Sequence, residues 1–203
     1  MKIIIPFFLI ILTSCSLFNQ KSLTQNLSKD IEKVCLDASG RGRLIINDHK
    51  YVFSFESLLS ANEHKWIMGL NFPVYGEEVL EVSWDENQKV DFTASFENRV
   101  LKEKKGVDPE LLNIFLENWS KLVYEIISLK NGNKTNESFS WSTNPRELVV
   151  ETKIIDIGLA KIKFQNLTTS NYFGRFDVVL QNKNKENAYK VEMIVRKCLK
   201  ETD

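Results

Sequence analysis

Histidine is scarce in this chain of 203 residues, which contains only His49 and His64. Neither has a cysteine or a second histidine at the spacing of a metal ligand, so the sequence predicts no metal site. It also lacks a Gly-x-Ser-x-Gly turn, a phosphate-binding glycine loop and a metalloprotease helix motif. We therefore expect a protein without a cofactor and without enzymatic activity.

An excess of charge of one sign is also missing, because lysine plus arginine equals aspartate plus glutamate at 27 residues each. No long run of like charges occurs either, so nucleic acid is not an expected partner. The longest apolar stretch, residues 3–12, is about half as long as the roughly 20 residues that a transmembrane helix requires. It does not predict a membrane span.

The first residues have the anatomy of a secretory signal. Lys2 provides a short positive region, residues 3–12 form the apolar region, and two small polar residues precede Cys15. The sequence Leu-Thr-Ser-Cys resembles the lipobox of bacterial lipoproteins. The resemblance implies cleavage before Cys15, diacylglycerol on its thiol and an acyl chain such as palmitate on its amino group, so that the protein is anchored to membrane lipid. Ser16 after this cysteine favours the outer membrane, with the domain facing the periplasm. The alternative is an ordinary secretory signal with an incidental cysteine.

The remaining length suits one domain. Removing 14 residues from 203 leaves 203 − 14 = 189, which is enough for one sizeable core but short for two. We expect a signal peptide at residues 1–14, a lipidated N-terminus and polar tether at residues 15–21, and a single domain at residues 22–203.

Two further cysteines, Cys35 and Cys198, remain once Cys15 carries lipid. In an oxidising compartment they could pair and close a loop of 198 − 35 = 163 residues. Such a disulfide would stabilise the fold by roughly 4 to 5 kcal/mol on the chain-entropy account. The alternative is two buried, unpaired thiols, because free cysteine is commonly buried.

Apolar spacing predicts two helices and about ten strands. One helix extends from Leu23 to about Cys35 and ends before Gly40, and a second begins at Asp108-Pro109 and continues to about residue 129. Alternation with a period of two predicts antiparallel strands elsewhere. These strands are expected at residues 43–46, 51–55, 64–72, 79–84, 90–96, 138–141, 148–154, 160–164, 176–180 and 189–195. The order of helix, five strands, helix and five strands indicates an α+β protein built on an antiparallel sheet.

Large apolar side chains recur on one side of the predicted strands. The plain interpretation is a closed core. The alternative is a curved sheet with helices across its concave face, which leaves a cavity for a hydrophobic ligand. The candidates to line such a cavity are Tyr51, Phe53, Phe55, Trp66, Met68, Leu70, Leu80, Val82, Trp84, Phe92, Phe96, Phe176 and Val178.

Several patterned segments follow the first predicted helix in a distinctive order. They are Arg-Gly-Arg at 41–43, Tyr-Val-Phe-Ser-Phe at 51–55, Asn-Phe-Pro at 71–73, Glu-Val-Leu-Glu-Val at 78–82, a helix from Asp108 and two closing strands at 176–180 and 189–195. This order resembles the LolB family of outer-membrane lipoprotein receptors, over most of the predicted domain.

The resemblance implies an open antiparallel half-barrel of ten to eleven strands, with helices covering its concave face. It also implies a cavity that receives the acyl chains of lipoproteins from a LolA-like periplasmic carrier and passes them to the outer membrane. In that family a loop after the third strand carries an exposed apolar residue that helps to insert cargo, and the matching residues here are Val74 and Tyr75. The rival hypothesis is an envelope lipoprotein with a filled core that acts as a structural or assembly module.

Overall fold

The computed structural model describes residues 26–46, 49–60, 62–73, 76–86, 89–95, 109–134, 136–144, 146–154, 158–182 and 187–199. In these ranges the protein is an α+β fold, in which ten antiparallel strands form one sheet that does not close and two helices pack beside it. The predicted α+β class and the antiparallel sheet are therefore confirmed. No helix within these ranges is long and apolar enough to cross a membrane.

Most strands are longer than the sequence pattern predicts. Helix α1 covers residues 26–31, and helix α2 covers Pro109–Lys130. The strands are β1 (Ala38–Ile46), β2 (His49–Ser60), β3 (Lys65–Phe72), β4 (Gly76–Trp84), β5 (Val90–Ser95), β6 (Phe139–Asn144), β7 (Glu147–Ile154), β8 (Gly158–Leu167), β9 (Phe173–Asn182) and β10 (Asn187–Cys198).

Two five-stranded meanders make up the sheet, in the order β5-β4-β3-β2-β1-β10-β9-β8-β7-β6. The first and last strands pair at its centre, from Ala38 with Cys198 to Ile46 with Tyr189. Helix α2 follows β5 and precedes β6, which are the two edges of the sheet. The helix therefore joins one edge to the other.

The helices pack against one face of the sheet, which we call the inner face; the opposite face is the outer face. Along β2 the side chains of Tyr51, Phe53 and Phe55 are buried on the inner face, and the residues between them are exposed. Ile31 of α1 and Leu122 of α2 belong to the same hydrophobic core. This pattern confirms the period of two that the sequence shows.

Two glycines of β1 make room for aromatic rings of β2. A Cβ atom at Gly42 would lie 2.5 Å from the Phe53 ring, and one at Gly40 would lie 2.8 Å from the Phe55 ring. Both distances are shorter than any real contact between carbon atoms. A side chain at position 42 would push the Phe53 ring away from the inner face. One at position 40 would also collide with the carbonyl oxygen of Ile194, which would lie 2.0 Å from its Cβ atom.

Helix α2 begins and ends close to the predicted positions. Pro109 is its first residue, where a missing N–H costs nothing because the first turn leaves that group unpaired. At the other end Gly132, with φ at +79°, lets the N–H of Asn133 donate to the carbonyl oxygen of Ser128 at 3.1 Å. Asp108, the predicted cap, lies outside the described residues.

Helix α1 ends earlier than the apolar spacing predicts. The expected end is near Cys35, but the last helical residue is number 31. The carbonyl oxygen of Lys33 instead accepts a hydrogen bond from the N–H of Phe173 at 3.0 Å. The prediction is wrong here because the chain leaves the helix to pair with a distant strand, and periodicity carries no information about that partner.

Cys35 and Cys198 form a disulfide, with their Cα atoms 5.8 Å apart. The predicted pairing is therefore confirmed, and the alternative of two unpaired thiols is wrong. The bridge joins the segment after α1 to the last residue of β10. It links the start of the described fold to its end.

Candidate functional site

The predicted cavity residues fall into three groups. Trp84, Phe92 and Phe176 are half-buried, and Phe96 lies outside the described residues. The others have at most 7% of their surface exposed; they are Tyr51, Phe53, Phe55, Trp66, Met68, Leu70, Leu80, Val82 and Val178. The structure brings the described candidates together in one core, as packed side chains.

Aromatic rings contact one another across the inner face. The ring centroids of Phe53 and Phe72 are 5.2 Å apart. Phe176 packs against Phe55 at 6.1 Å and against Phe164 at 5.8 Å. Tilted and edge-on pairs at such distances add to the stabilisation from burial. The rings therefore form a continuous apolar surface between the two meanders.

Helix α2 adds aromatic contacts that the predicted cavity set omits. Phe115 stacks on Tyr189 of β10 with centroids 5.8 Å apart, and Tyr124 packs against Trp84 of β4 at 5.6 Å. Phe115 belongs to a stripe of apolar residues that recur at helical spacing along this helix, together with Trp119, Leu122 and Ile126. Tyr124 lies beside that stripe, so only its contact with Trp84 reveals its place in the site.

A cleft of about 690 Å³ opens between α2 and the edges of the sheet. Val90 of β5, Phe139 of β6 and Ile154 of β7 line it together with Tyr124 of α2. Its volume falls in the range of small-ligand sites, about 300–1,000 Å³. The two opposite edges of the sheet thus contribute to one site.

Polar side chains share this cleft with the apolar ones. Asn118, Lys121 and Glu125 line it from α2, and Lys134 and Lys153 line it from the following turn and from β7. A lining of this kind suits an amphipathic ligand better than a purely apolar one, because polar groups can meet a headgroup while apolar groups meet a chain.

Glu125 is the buried carboxylate of the cleft, with 4% of its surface exposed. Burial raises its pKa, although the N–H of Asn136, which donates to Oε1 at 3.0 Å, partly opposes the shift. The pKa of Tyr124 is also raised, by burial and by the charges of Asp85 and Glu125. Burial therefore favours the protonated forms of these two side chains.

The indole N–H of Trp141 lies beside Glu125. It is close enough to lower the pKa of that carboxyl, against the larger effect of burial. Its Nε1 atom nevertheless completes no hydrogen bond within the described part of the chain. A buried donor without a partner costs free energy, so this region keeps a polar group unsatisfied.

No family model matches this chain, and no curated protein is significantly similar to it. Its function therefore has to be argued from the site. Within the described stretches no three potential ligand side chains come close enough to hold a metal ion.

The remaining predicted site residues lie outside the described ranges. They are Cys15, Val74 and Tyr75. The loop that contains the last two does fall between strands, because β3 ends at Phe72 and β4 begins at Gly76, where φ is +98°.

Proposed function

We propose that this protein is a lipid-anchored outer-membrane lipoprotein that binds acyl chains of other lipoproteins and helps to insert them into that membrane. The chains would lie between α2 and a half-barrel sheet, and a LolA-like periplasmic carrier would deliver them. The cleft between α2 and the two sheet edges carries the proposal.

The position of the two edges supports a half-barrel. The order of the ten strands places β5 and β6 nine strand spacings apart. In a flat sheet that separation would be about 43 Å. Val90 of β5 and Phe139 of β6 nevertheless line the same cleft. A sheet that curls around α2 accounts for both observations.

The inner face supplies the apolar surface that acyl chains require. Each buried methylene contributes about 0.8 kcal/mol. Phe53 and Met68 have 1% of their surface exposed, so a chain reaches them only if α2 moves away from the sheet. The half-buried Val90 and Tyr124 at the cleft are the groups that an incoming chain meets first.

Transfer of this kind needs no chemical step. It requires only that the binding free energy become more favourable from carrier to receptor and from receptor to bilayer. At about 0.8 kcal/mol per methylene, small differences in packing are enough to set that direction. The sequence contains none of the catalytic motifs considered above, and this is compatible with such a role.

A second candidate function is that of a structural or assembly module with a filled core. The deep burial of most predicted cavity residues favours it. In that case α2 would stay on the sheet, and the protein would act through its surface.

Photo-crosslinking separates the two functions. A benzophenone amino acid in place of Val90 of the full-length protein should capture the acyl chains of a lipoprotein delivered on its soluble carrier. The same amino acid in place of Val52, which is 61% exposed on the outer face, is the matched control and should capture none. Equal labelling at both positions, or none at Val90, would exclude acyl binding in the cleft.

The substitution Val74→Glu tests the membrane step. A receptor with this change should still fold and crosslink to cargo through position 90, but release of cargo into vesicles should stall, because a charged side chain does not enter lipid. An assembly module should be indifferent to the change. Full release by the variant would therefore contradict a role of this loop in insertion.

A further inference from the structure

The outer face carries a groove of about 540 Å³ that the proposed acyl site does not use. It crosses strands β1 to β4 and reaches β10. Two neighbouring rows of paired residues form it. The rows are Arg41, Ser54, Asn71 and Glu77, and beside them Ser39, Glu56, Gly69 and Val79.

Gly69 leaves the floor of this groove empty. A Cβ atom there would have the carbonyl oxygen of Glu56 at 3.9 Å as its nearest contact among the described residues, apart from its chain neighbours, and the backbone φ is not positive. Gly40 and Gly42 differ, because aromatic rings occupy the space beside them. Glycine inside a strand weakens it and often marks the close approach of a ligand. The fold therefore has room for a side chain at position 69. Such a side chain would fill the floor of the groove, which stays open only with glycine.

Opposite charges line opposite sides of the groove. Arg41 of β1 and Arg196 of β10 lie on one side, and Glu56 of β2 and Glu77 of β4 lie on the other. Arg41 and Glu77 are three strand spacings apart, about 14 Å between backbones. Glu56 is nearer to Arg41, because it lies two residues from Ser54, the partner of Arg41 on the adjacent strand. The groove therefore has its arginines on β1 and β10 and its carboxylates on β2 and β4.

These four charged side chains have few partners in the part of the chain that the structure describes. Among the described residues, neither Arg41, Arg196 nor Glu56 forms an ion pair, and Glu77 accepts one hydrogen bond, from Nδ2 of Asn71 at 3.4 Å. Elsewhere on the same face Arg43 forms an ion pair with Glu192. Two arginines on one side of an open floor and two carboxylates on and beyond it, none of them in an ion pair among the described residues, are complementary to a small zwitterion.

We propose that the outer groove binds the phosphoethanolamine headgroup of a phospholipid. The guanidinium groups of Arg41 and Arg196 donate hydrogen bonds to the phosphate oxygens. The ammonium group donates to the carboxylates of Glu56 and Glu77. The headgroup rests over Gly69, where a side chain would block it.

The position of the groove favours a membrane lipid as the source of this headgroup. Asn71 and Glu77 are paired residues on either side of the β3–β4 connection, which contains Val74 and Tyr75. This choice of source rests on the proposed function, in which that loop meets the membrane. A groove beside the loop would then lie at the level of the lipid headgroups.

Equilibrium dialysis of the full-length protein in a non-ionic detergent tests the groove directly. The probe is glycerophosphoethanolamine, compared with glycerophosphate, ethanolamine and glycerophosphocholine. We expect saturable binding of the first probe and binding at least about tenfold weaker for the other three. Glycerophosphocholine is the sharpest comparison, because its quaternary ammonium cannot donate a hydrogen bond to a carboxylate.

Two variants assign the binding to the groove. Gly69→Val should weaken binding at least about tenfold while leaving the fold intact, because β-branched residues suit strands. Arg41→Glu should weaken it as strongly. Lys50→Glu is the control for Arg41→Glu, since it makes the same change in net charge at an exposed position of β2 that does not line the groove. It should bind like the unmodified protein.

Three outcomes would overturn the proposal. They are unsaturable binding, equal loss in Arg41→Glu and Lys50→Glu, and equal affinity for glycerophosphate and glycerophosphoethanolamine, which would indicate a simple anion site. The dialysis contains no acylated cargo, so its failure would leave the acyl-binding proposal standing. A failed crosslink through position 90 would equally leave headgroup binding standing. Vesicles with and without phosphatidylethanolamine then distinguish a membrane headgroup from a free zwitterion.

Discussion

Trp66 and Trp141 lie in two regions of the inner face. The indole N–H is buried in both side chains, but its hydrogen bonding differs. Nε1 of Trp66 donates to the carbonyl oxygen of Leu36 at 3.1 Å. Nε1 of Trp141 has no partner among the described residues. The first region lies beside the disulfide, and the second lies beside the cleft.

The region around Leu36 is tightly connected. Besides the bond from Trp66, the carbonyl oxygen of Leu36 accepts one from Oγ of Ser57 at 2.8 Å, and the same Oγ accepts from the N–H of Ala38 at 3.1 Å. The disulfide between Cys35 and Cys198 adds a covalent link nearby. Polar groups taken out of water here have protein partners.

The cleft region is different because Glu125 is buried with a raised pKa, and the indole N–H of Trp141 lies beside that carboxyl without completing a hydrogen bond among the described residues. Protein regions that must open or bind usually carry such local costs, since a fully satisfied region gains nothing by moving. The comparison teaches that buried polar groups are paired beside the disulfide and only partly paired beside the cleft.

The largest expected effect comes from removing the covalent link. The double substitution Cys35→Ser and Cys198→Ser should lower the free energy of unfolding by up to about 5 kcal/mol, because a loop of 163 residues is released in the unfolded chain. Guanidinium titration of the protein and its variant measures the difference, and the unmodified protein under reducing conditions is the control. A loss below about 1 kcal/mol would mean that the hydrogen bonds around Leu36 hold this region without the bridge.

Glu192, on the outer face, is a carboxylate that forms ion pairs with neighbouring cations, which Glu125 does not do among the described residues. Burial alone would raise its pKa, but hydrogen bonds from Arg43 and Lys190 outweigh burial and lower the pKa from 4.5 to about 2. A lowered pKa means that the stabilisation is present above pH 4.5 and is lost as the pH falls through about 2. Glu192→Gln should therefore lower the free energy of unfolding by up to about 3 kcal/mol at pH 7 and have little effect near pH 2.

Urea titrations at both pH values test this expectation. A loss of equal size at pH 7 and at pH 2 would show that the substitution acts through packing and not through the charge of Glu192.

The two tryptophans provide a matched pair. Trp66→Phe leaves the core apolar but removes a donor from Leu36, so the free energy of unfolding should fall by about 1–3 kcal/mol. Trp141→Phe removes a donor that lies beside Glu125 but completes no hydrogen bond among the described residues, so it should change stability by less than about 1 kcal/mol. Thermal unfolding of both variants measures the contrast. Equal losses would remove the distinction between the two regions.

The smallest effect is expected at Glu125. Its raised pKa means that the folded protein holds the proton more tightly than the unfolded chain, so stability declines as the pH rises from about the ordinary carboxyl value through the raised one. Glu125→Gln should lack this decline and should be at least as stable as the unmodified protein at pH 7. Thermal unfolding between pH 4 and pH 8 measures it. Glu117→Gln is the control, since Glu117 lines the same cleft but is exposed; a matching response there would contradict a specific role of burial.

Local sequence patterns predicted the helices and strands well, but they did not predict which distant segments contact one another. The alternation at Tyr51, Phe53 and Phe55 predicts a buried strand face because each residue's orientation follows from its neighbour in the chain. Pro109 marks the start of α2 for an equally local reason. Glu125 and Gly69 look like ordinary residues of a helix and a strand, because the cleft and the groove arise from segments far apart in sequence.

The sequence by itself determined the α+β order, the alternating inner face and the two cysteines available for a disulfide. These features depend on neighbouring residues or on residue type alone. Only the tertiary structure decided that α1 ends before residue 32, that both sheet edges line one cleft, and that the indole N–H of Trp141 completes no hydrogen bond among the described residues. Each of these depends on which distant groups reach one another, because a hydrogen bond or a cavity wall requires contact in space and not proximity along the chain.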